Sequence, residues 1–191
     1  MLKYILVGRR QPAHQGHIEQ IKDVINKGGM PILFIGSINE KNSEYYNPAL
    51  NPLNKEQSVR QLEIILEKEN VTNYKIITIE DVGNSQIWTE NLIKKLQEEF
   101  SNYNPQEFRF HYFPKKHQNG AVDSLEKCAE IFQKKGIEPN VFLGTKEGRN
   151  LHSSHFRQIP INSAEFQILP AAEYLTKISG SCATLQDLST L

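Results

Sequence analysis

The sequence predicts an α/β fold, a doubly wound parallel sheet with helices on both faces, from three observations. Apolar runs of strand length recur along the chain. Segments with apolar residues at helical spacing lie between them, and most runs end in a polar or glycine-bearing turn. Strands separated by helix-length segments pair side by side only through right-handed crossovers, which lay the helices over the sheet. In such sheets ligands sit beyond the carboxyl ends of the strands.

The elements follow in order. Tyr4–Val7 is a short apolar run, and Ile18, Ile21, Val24 and Ile25 mark a helix after it. Pro31–Gly36 (PILFIG) reads as a second buried strand. The polar segment from Ser37 to Asn54 is too long to be a mere connector. Asn54 then suits an N-cap for a helix striped by Val59, Leu62, Ile65 and Leu66. Tyr74–Ile79 is a third strand, Ile87–Phe100 an amphipathic helix, Phe108–Phe113 a fourth strand and Val122–Phe132 another helix. A short strand, Val141–Leu143, ends at Gly144. Beyond the small polar stretch Ile178–Thr184, Leu185, Leu188 and Leu191 suggest the start of one more helix.

Composition narrows the function. With 191 residues, 38% hydrophobic and 23% charged, the chain suits a single domain over 1–191 with a real core, either whole or as a piece of something longer. Lys and Arg total 22 against 22 Asp and Glu. A balanced charge argues against a non-specific nucleic-acid partner, which needs a positive field, but allows a local basic pocket. No run reaches the roughly 18 apolar residues of a membrane span, and the first residues enter a strand rather than a signal peptide, so a cytoplasmic protein is expected. Cys128 lies in an apolar helical stripe and reads as a small core residue; Cys182 reads as packing. The pair forms neither a disulfide framework nor a zinc spacing.

The chemistry concentrates in GRRQPAHQGH, Gly8–His17, directly after the first strand. Gly8 and Gly16 let a ligand approach the backbone. Arg9 offers a planar fork of donors suited to phosphate oxygens. His14 and His17 are three residues apart and can face one cavity if a helical turn begins near Gln15, where free N–H groups add positive character. The set has donors but no nucleophile with a paired base, which suits phosphoryl or nucleotidyl transfer between two substrates. A polar loop remains open as a reading. A metal site does too, although it lacks a third ligand nearby.

GRRQPAHQGH resembles the phosphate-binding signature G-R-F-Q-P-F-H-x-G-H of the HxGH nucleotidyltransferase superfamily, in particular nicotinamide-nucleotide adenylyltransferases of the archaeal and bacterial Nudix-linked type. Other stretches agree in order. IGSINE with NPLNKEQ (Ile35–Gln57) resembles I-G-S then N-P-F-[ST]-x-x-E-R. IEDVGNSQIW (Ile79–Trp88), FLGTKE (Phe142–Glu147) and ISGS (Ile178–Ser181) resemble later segments of the same families.

The resemblance implies a Rossmann-like fold and transfer of AMP from ATP to nicotinamide mononucleotide, giving NAD and pyrophosphate, with Mg²⁺ bound with the ATP. It implies that His14, His17 and Arg9 are catalytic. Gly8, Gly16, Gly144, Lys146, Ser179 and Ser181 would join them around ATP. Trp88 would stack on the pyridinium ring, and Asn84 would bond its carboxamide. Ser37, Asn39 and Asp81 would complete the mononucleotide site. Members of such families often self-associate.

The chain also departs from the pattern. Arg10 and Ala13 replace aromatic residues, and Gln57 stands where the family has arginine, with Arg60 one helical turn later as a substitute. No Arg or Lys follows Lys177, where an arginine gripping the β- and γ-phosphates is expected. Lys146, Arg149 or Lys177 are the available substitutes. A different acceptor, such as nicotinate mononucleotide or phosphopantetheine, and a nucleotide sensor without turnover are the alternatives.

Overall fold

A computed structural model describes residues 1–10, 13, 15–36, 43–44, 53–114 and 124–144. Five strands, β1 (Lys3–Gly8), β2 (Met30–Ile35), β3 (Lys75–Thr78), β4 (Phe108–Tyr112) and β5 (Glu138–Val141), form one sheet in the order β3-β2-β1-β4-β5. Every pair is parallel. The chain builds outwards from β1 in one direction through β2 and β3, then returns to its other side for β4 and β5. The order of strands therefore reverses at β1, which is where this class of sheet binds ligands.

The helices α1 (Gln15–Asn26) and α2 (Lys55–Lys68) cover one face, and α3 (Ser85–Glu99) and α4 (Ser124–Lys134) the other. Alternation along β1 explains the division. Tyr4 and Leu6 pack with Ile18, Ile21 and Val24 of α1 and Leu62, Ile65 and Leu66 of α2. Ile5 and Val7 pack with Leu92, Ile93 and Leu96 of α3 and Cys128, Ala129 and Phe132 of α4. Cys128 is a buried core residue. Gly29, just before β2, has no room for a side chain, because a Cβ there would lie 2.4 Å from the Tyr4 ring. Among the described residues no helix is long and apolar enough to cross a membrane.

Two details differ from the sequence reading. The last strand is β5, Glu138–Val141, three residues before the apolar triplet Val141–Leu143. Among the described residues its one neighbour is β4, registered from Arg109↔Glu138 to Tyr112↔Val141, and polar residues are tolerated on a strand paired on one side. Val141 and Leu143 are exposed. Asn54 caps α2 as expected, with its side chain accepting from Gln57 N at 2.8 Å while Gln57 Oε1 accepts from Asn54 N at 3.1 Å. Gln57 thus takes the place of the glutamate in N-P-F-[ST]-x-x-E-R, and the pattern's arginine falls on Ser58, a buried residue.

His111 ties β4 to the α1 side of the sheet. Its ring is fully buried, with Nδ1 2.7 Å from Asn140 Oδ1. Nε2 lies 3.3 Å from Asp23 Oδ2 but off the line a hydrogen bond needs. Burial pushes its pKa below 6.5, outweighing the Asn140 hydrogen bond and the Asp23 charge; Lys27 opposes protonation as well. The unfolded chain therefore takes up a proton below about pH 6.5 that the folded chain refuses, and stability falls as the pH drops through that value. Urea unfolding between about pH 7.5 and pH 5 should show this loss, and His111→Gln should flatten it.

Candidate functional site

The ladder between β1 and β2 runs the length of β1, to Gly8↔Ile35, whereas that between β1 and β4 stops at Ile5↔Phe110. Leu6, Val7 and Gly8 are paired on one side only. The sheet opens on the β4 side of β1 at its carboxyl end, and the β1–α1 turn stands at that opening.

Arg9 projects into solvent there, while Arg10 turns inward and is 1% exposed. The backbone of Arg10 is left-handed, with φ 49°. Its side chain folds back over Gly8: a Cβ on Gly8 would sit 3.5 Å from Arg10 Nη1, an ordinary contact. Nη1 donates to Phe34 O at 2.9 Å, and Gly36 N donates to Gly8 O at 3.2 Å, so the ends of β1 and β2 are held together. Burial lowers the Arg10 pKa to about 10.

The turn is also clamped from α2. The amide of Gln61, fully buried, donates from Nε2 to Arg10 O at 2.8 Å and accepts from Ala13 N at 3.1 Å. One side chain thereby satisfies both main-chain groups across the turn. Beyond it α1 begins at Gln15, and Gly16 and His17 lie half-buried in its first turn. The first N–H groups of a helix have no intrahelical partners and attract anions.

A second wall forms where β2 ends. A Cβ on Gly36 would lie 3.6 Å from Asp81 Oδ1 and 3.8 Å from Trp88 Cζ2, so these two side chains flank Gly36 on the α3 face. Trp88 is half-buried and packs on the core, and its Nε1 is enclosed without a hydrogen-bond partner among the described residues. Asn84 is exposed and caps α3, its Oδ1 accepting from Gln86 N at 2.9 Å and Ile87 N at 3.1 Å. Only its amide nitrogen is left for a ligand. Gly144 follows β5 with φ 61°, a conformation that favours glycine, on the far side of β4 from β1.

His14, Ser37, Asn39, Lys146, Ser179 and Ser181, with Arg149, Lys177 and Cys182, lie outside the described residues. Sequence reasoning missed the burial of Arg10 and the clamp by Gln61. The signal for the second was present, since Gln61 interrupts the apolar stripe of α2 beside Leu62 and Ile65. Among the described residues no three His, Cys, Asp or Glu side chains are grouped to hold a metal.

The profile of the cytidylyltransferase-like family matches residues 5–159. The chain is 32% identical over 87 residues to a nicotinamide-nucleotide adenylyltransferase of Thermoplasma acidophilum, covering 46% of each protein. It is 29% identical over 114 residues to the protein of that name from Picrophilus torridus, covering 58% of this chain and 64% of that one. The match thus spans about half the length of the first relative. A bifunctional NMN adenylyltransferase/ADP ribose pyrophosphatase from Francisella tularensis has a similar fold, with a TM-score of 0.65 at 19% identity over 99% of this chain and 49% of that one. A second structure of the Francisella protein, complexed with AMP and a manganese ion, superposes equally well.

Gln61→Met keeps the volume of the side chain but removes the hydrogen bonds it makes to Arg10 O and Ala13 N. It should lower the unfolding free energy by about 1–3 kcal/mol in urea titrations.

Proposed function

The chain belongs to the cytidylyltransferase-like family, and from that premise we propose that it is a nicotinamide-nucleotide adenylyltransferase. The observation that carries the reading is the pairing of two walls at the strand-order reversal. A turn with Arg9 and His17 stands on β1, and Asp81 and Trp88 flank the last residue after β2. The first wall has the chemistry to hold a polyphosphate, and the second to hold a flat aromatic cation. The relatives named for this activity support the same choice.

In this reading the 5′-phosphate of nicotinamide mononucleotide attacks the α-phosphorus of ATP. A P–O bond forms to the mononucleotide, the bond to the β-phosphate oxygen breaks, and the electron pair leaves with pyrophosphate, giving NAD. The substrates supply nucleophile and leaving group, so the protein contributes position and charge. Arg9 holds the polyphosphate by its fork, and the α1 N-terminus and His17 stabilise the charge that gathers on the α-phosphoryl group, with His14 beside them. Lys146, Gly144, Ser179 and Ser181 complete the ATP side, and Ser37 and Asn39 the mononucleotide side.

Trp88 stacks on the pyridinium ring. Because the Asn84 oxygen is engaged in capping α3, its role toward the carboxamide is restricted to donation from the amide nitrogen. Mg²⁺ would be held by the ATP phosphates themselves, since the described residues of the turn present cations and backbone donors, and would offset the charge of the leaving pyrophosphate.

The test is pyrophosphate release from ATP and Mg²⁺ with nicotinamide mononucleotide, nicotinate mononucleotide or phosphopantetheine as acceptor. Release with the first alone or best is expected; binding of ATP without product would make the chain a sensor instead. His17→Ala should reduce kcat by about 10²–10³ with unchanged thermal stability, by analogy with loss of a single transition-state donor. Trp88→Ala should raise KM for the mononucleotide by roughly 2- to 30-fold, the value of a cation–π contact, and leave KM for ATP within about twofold.

A further inference from the structure

Among the described residues Arg10 is the only Arg, Lys, Asp or Glu whose side chain is buried. No carboxylate among the described residues pairs with it, and its Nε and Nη2 are enclosed without hydrogen-bond partners. Burying a guanidinium without a counter-ion is costly, and a tether to strand carbonyls does not require it, since a neutral amide could donate to Phe34 O equally well. The side chain cannot easily swing out. Its own carbonyl is held by Gln61, and Nη1 is held by Phe34 O.

The charge lies behind Gly8, on the inner side of the turn whose outer side carries Arg9. The carboxyl-terminal stretch beyond Lys177 supplies no cation, and position 58, on the same buried face of α2 one turn before Gln61, is a serine. Among the described residues no carboxylate therefore offsets the charge at Arg10, and burial keeps it from bulk water.

We propose that Arg10 is an interior cation of the phosphate site: a fixed positive charge behind Gly8, with no carboxylate partner among the described residues, that attracts the ligand's polyphosphate through the β1–α1 turn without touching it. The inference rests on the adenylyl-transfer reading, which brings a polyphosphate to that turn. Its signature is an opposition between stability and affinity. The free protein carries the cost of the enclosed charge, and the anion-bound protein recovers it.

The experiment compares wild type, Arg10→Met and Arg10→Lys, using inorganic tripolyphosphate and nicotinamide mononucleotide as separate probes, by calorimetric titration and thermal unfolding of the full chain. Arg10→Met should melt at or above the wild-type temperature when free, and bind tripolyphosphate about tenfold more weakly, as expected for a unit charge acting over several ångströms. Its mononucleotide affinity should not change. Arg10→Lys, which keeps the charge and loses the fork, should bind tripolyphosphate within about threefold of wild type.

An unchanged tripolyphosphate affinity in Arg10→Met overturns the proposal. So does a free methionine variant that melts below wild type, which would make Arg10 a tether of the strand ends, or a lysine variant as weak as the methionine one. Wild-type protein that binds neither tripolyphosphate nor ATP would overturn the adenylyl-transfer reading itself, and this inference with it.

Discussion

The parting of β1 from β4 after Ile5↔Phe110 governs the rest of the molecule. Parallel strands on either side of β1 cannot both follow it to its end if a ligand is to reach the turn that leaves it. Here β2 follows to Gly8, while His111 and Tyr112 of β4 are registered on β5 and not on β1. The consequence is a strand end supported from one side only, with its next residues hanging over the opening. Those residues then need holding by something other than sheet hydrogen bonds. Arg10 and Gln61 do this, one by reaching back to Phe34 O and the other by bridging the turn from α2. The architecture creates the gap, and two polar side chains keep its rim in place.

Much of this was legible in the residues. Strand and helix periods place β1 to β4 and all four helices within a few residues. The capping signal at Asn54 carries its own mechanism, since its side chain accepts from a main-chain N–H of the turn it starts; Asn84, read only as a ligand group, caps α3 in the same way. The fifth strand was misplaced for a physical reason. Among the described residues β5 is paired on one side only and tolerates Glu138 and Asn140, so an apolar run is a poor guide to its limits. The placement of Asp81 and Trp88 beside Gly36 could not be read from spacing, because it depends on where β2 ends relative to α3.

The arginine pair shows a different limit. Two adjacent arginines in a polar turn look alike on paper, and both suggest a solvated cluster. Only the left-handed backbone at Arg10 and the amide of Gln61 send one side chain out and the other in. A buried cation in a turn that resembles an apolar position in its family breaks the usual agreement between local chemistry and burial. Such breaks tend to mark places where function rather than stability sets the residue.

Gln20 and His111 carry one more implication. The side chain of Gln20, in the middle of α1, donates from inside the protein to the main chain of β4 at His111, at 3.0 Å. The helix that carries His17 is thus pinned to the strand on the opposite bank of the opening, like a strut across a doorway. A brace of this kind couples any displacement of α1 to β4 and so resists a change in the width of the opening.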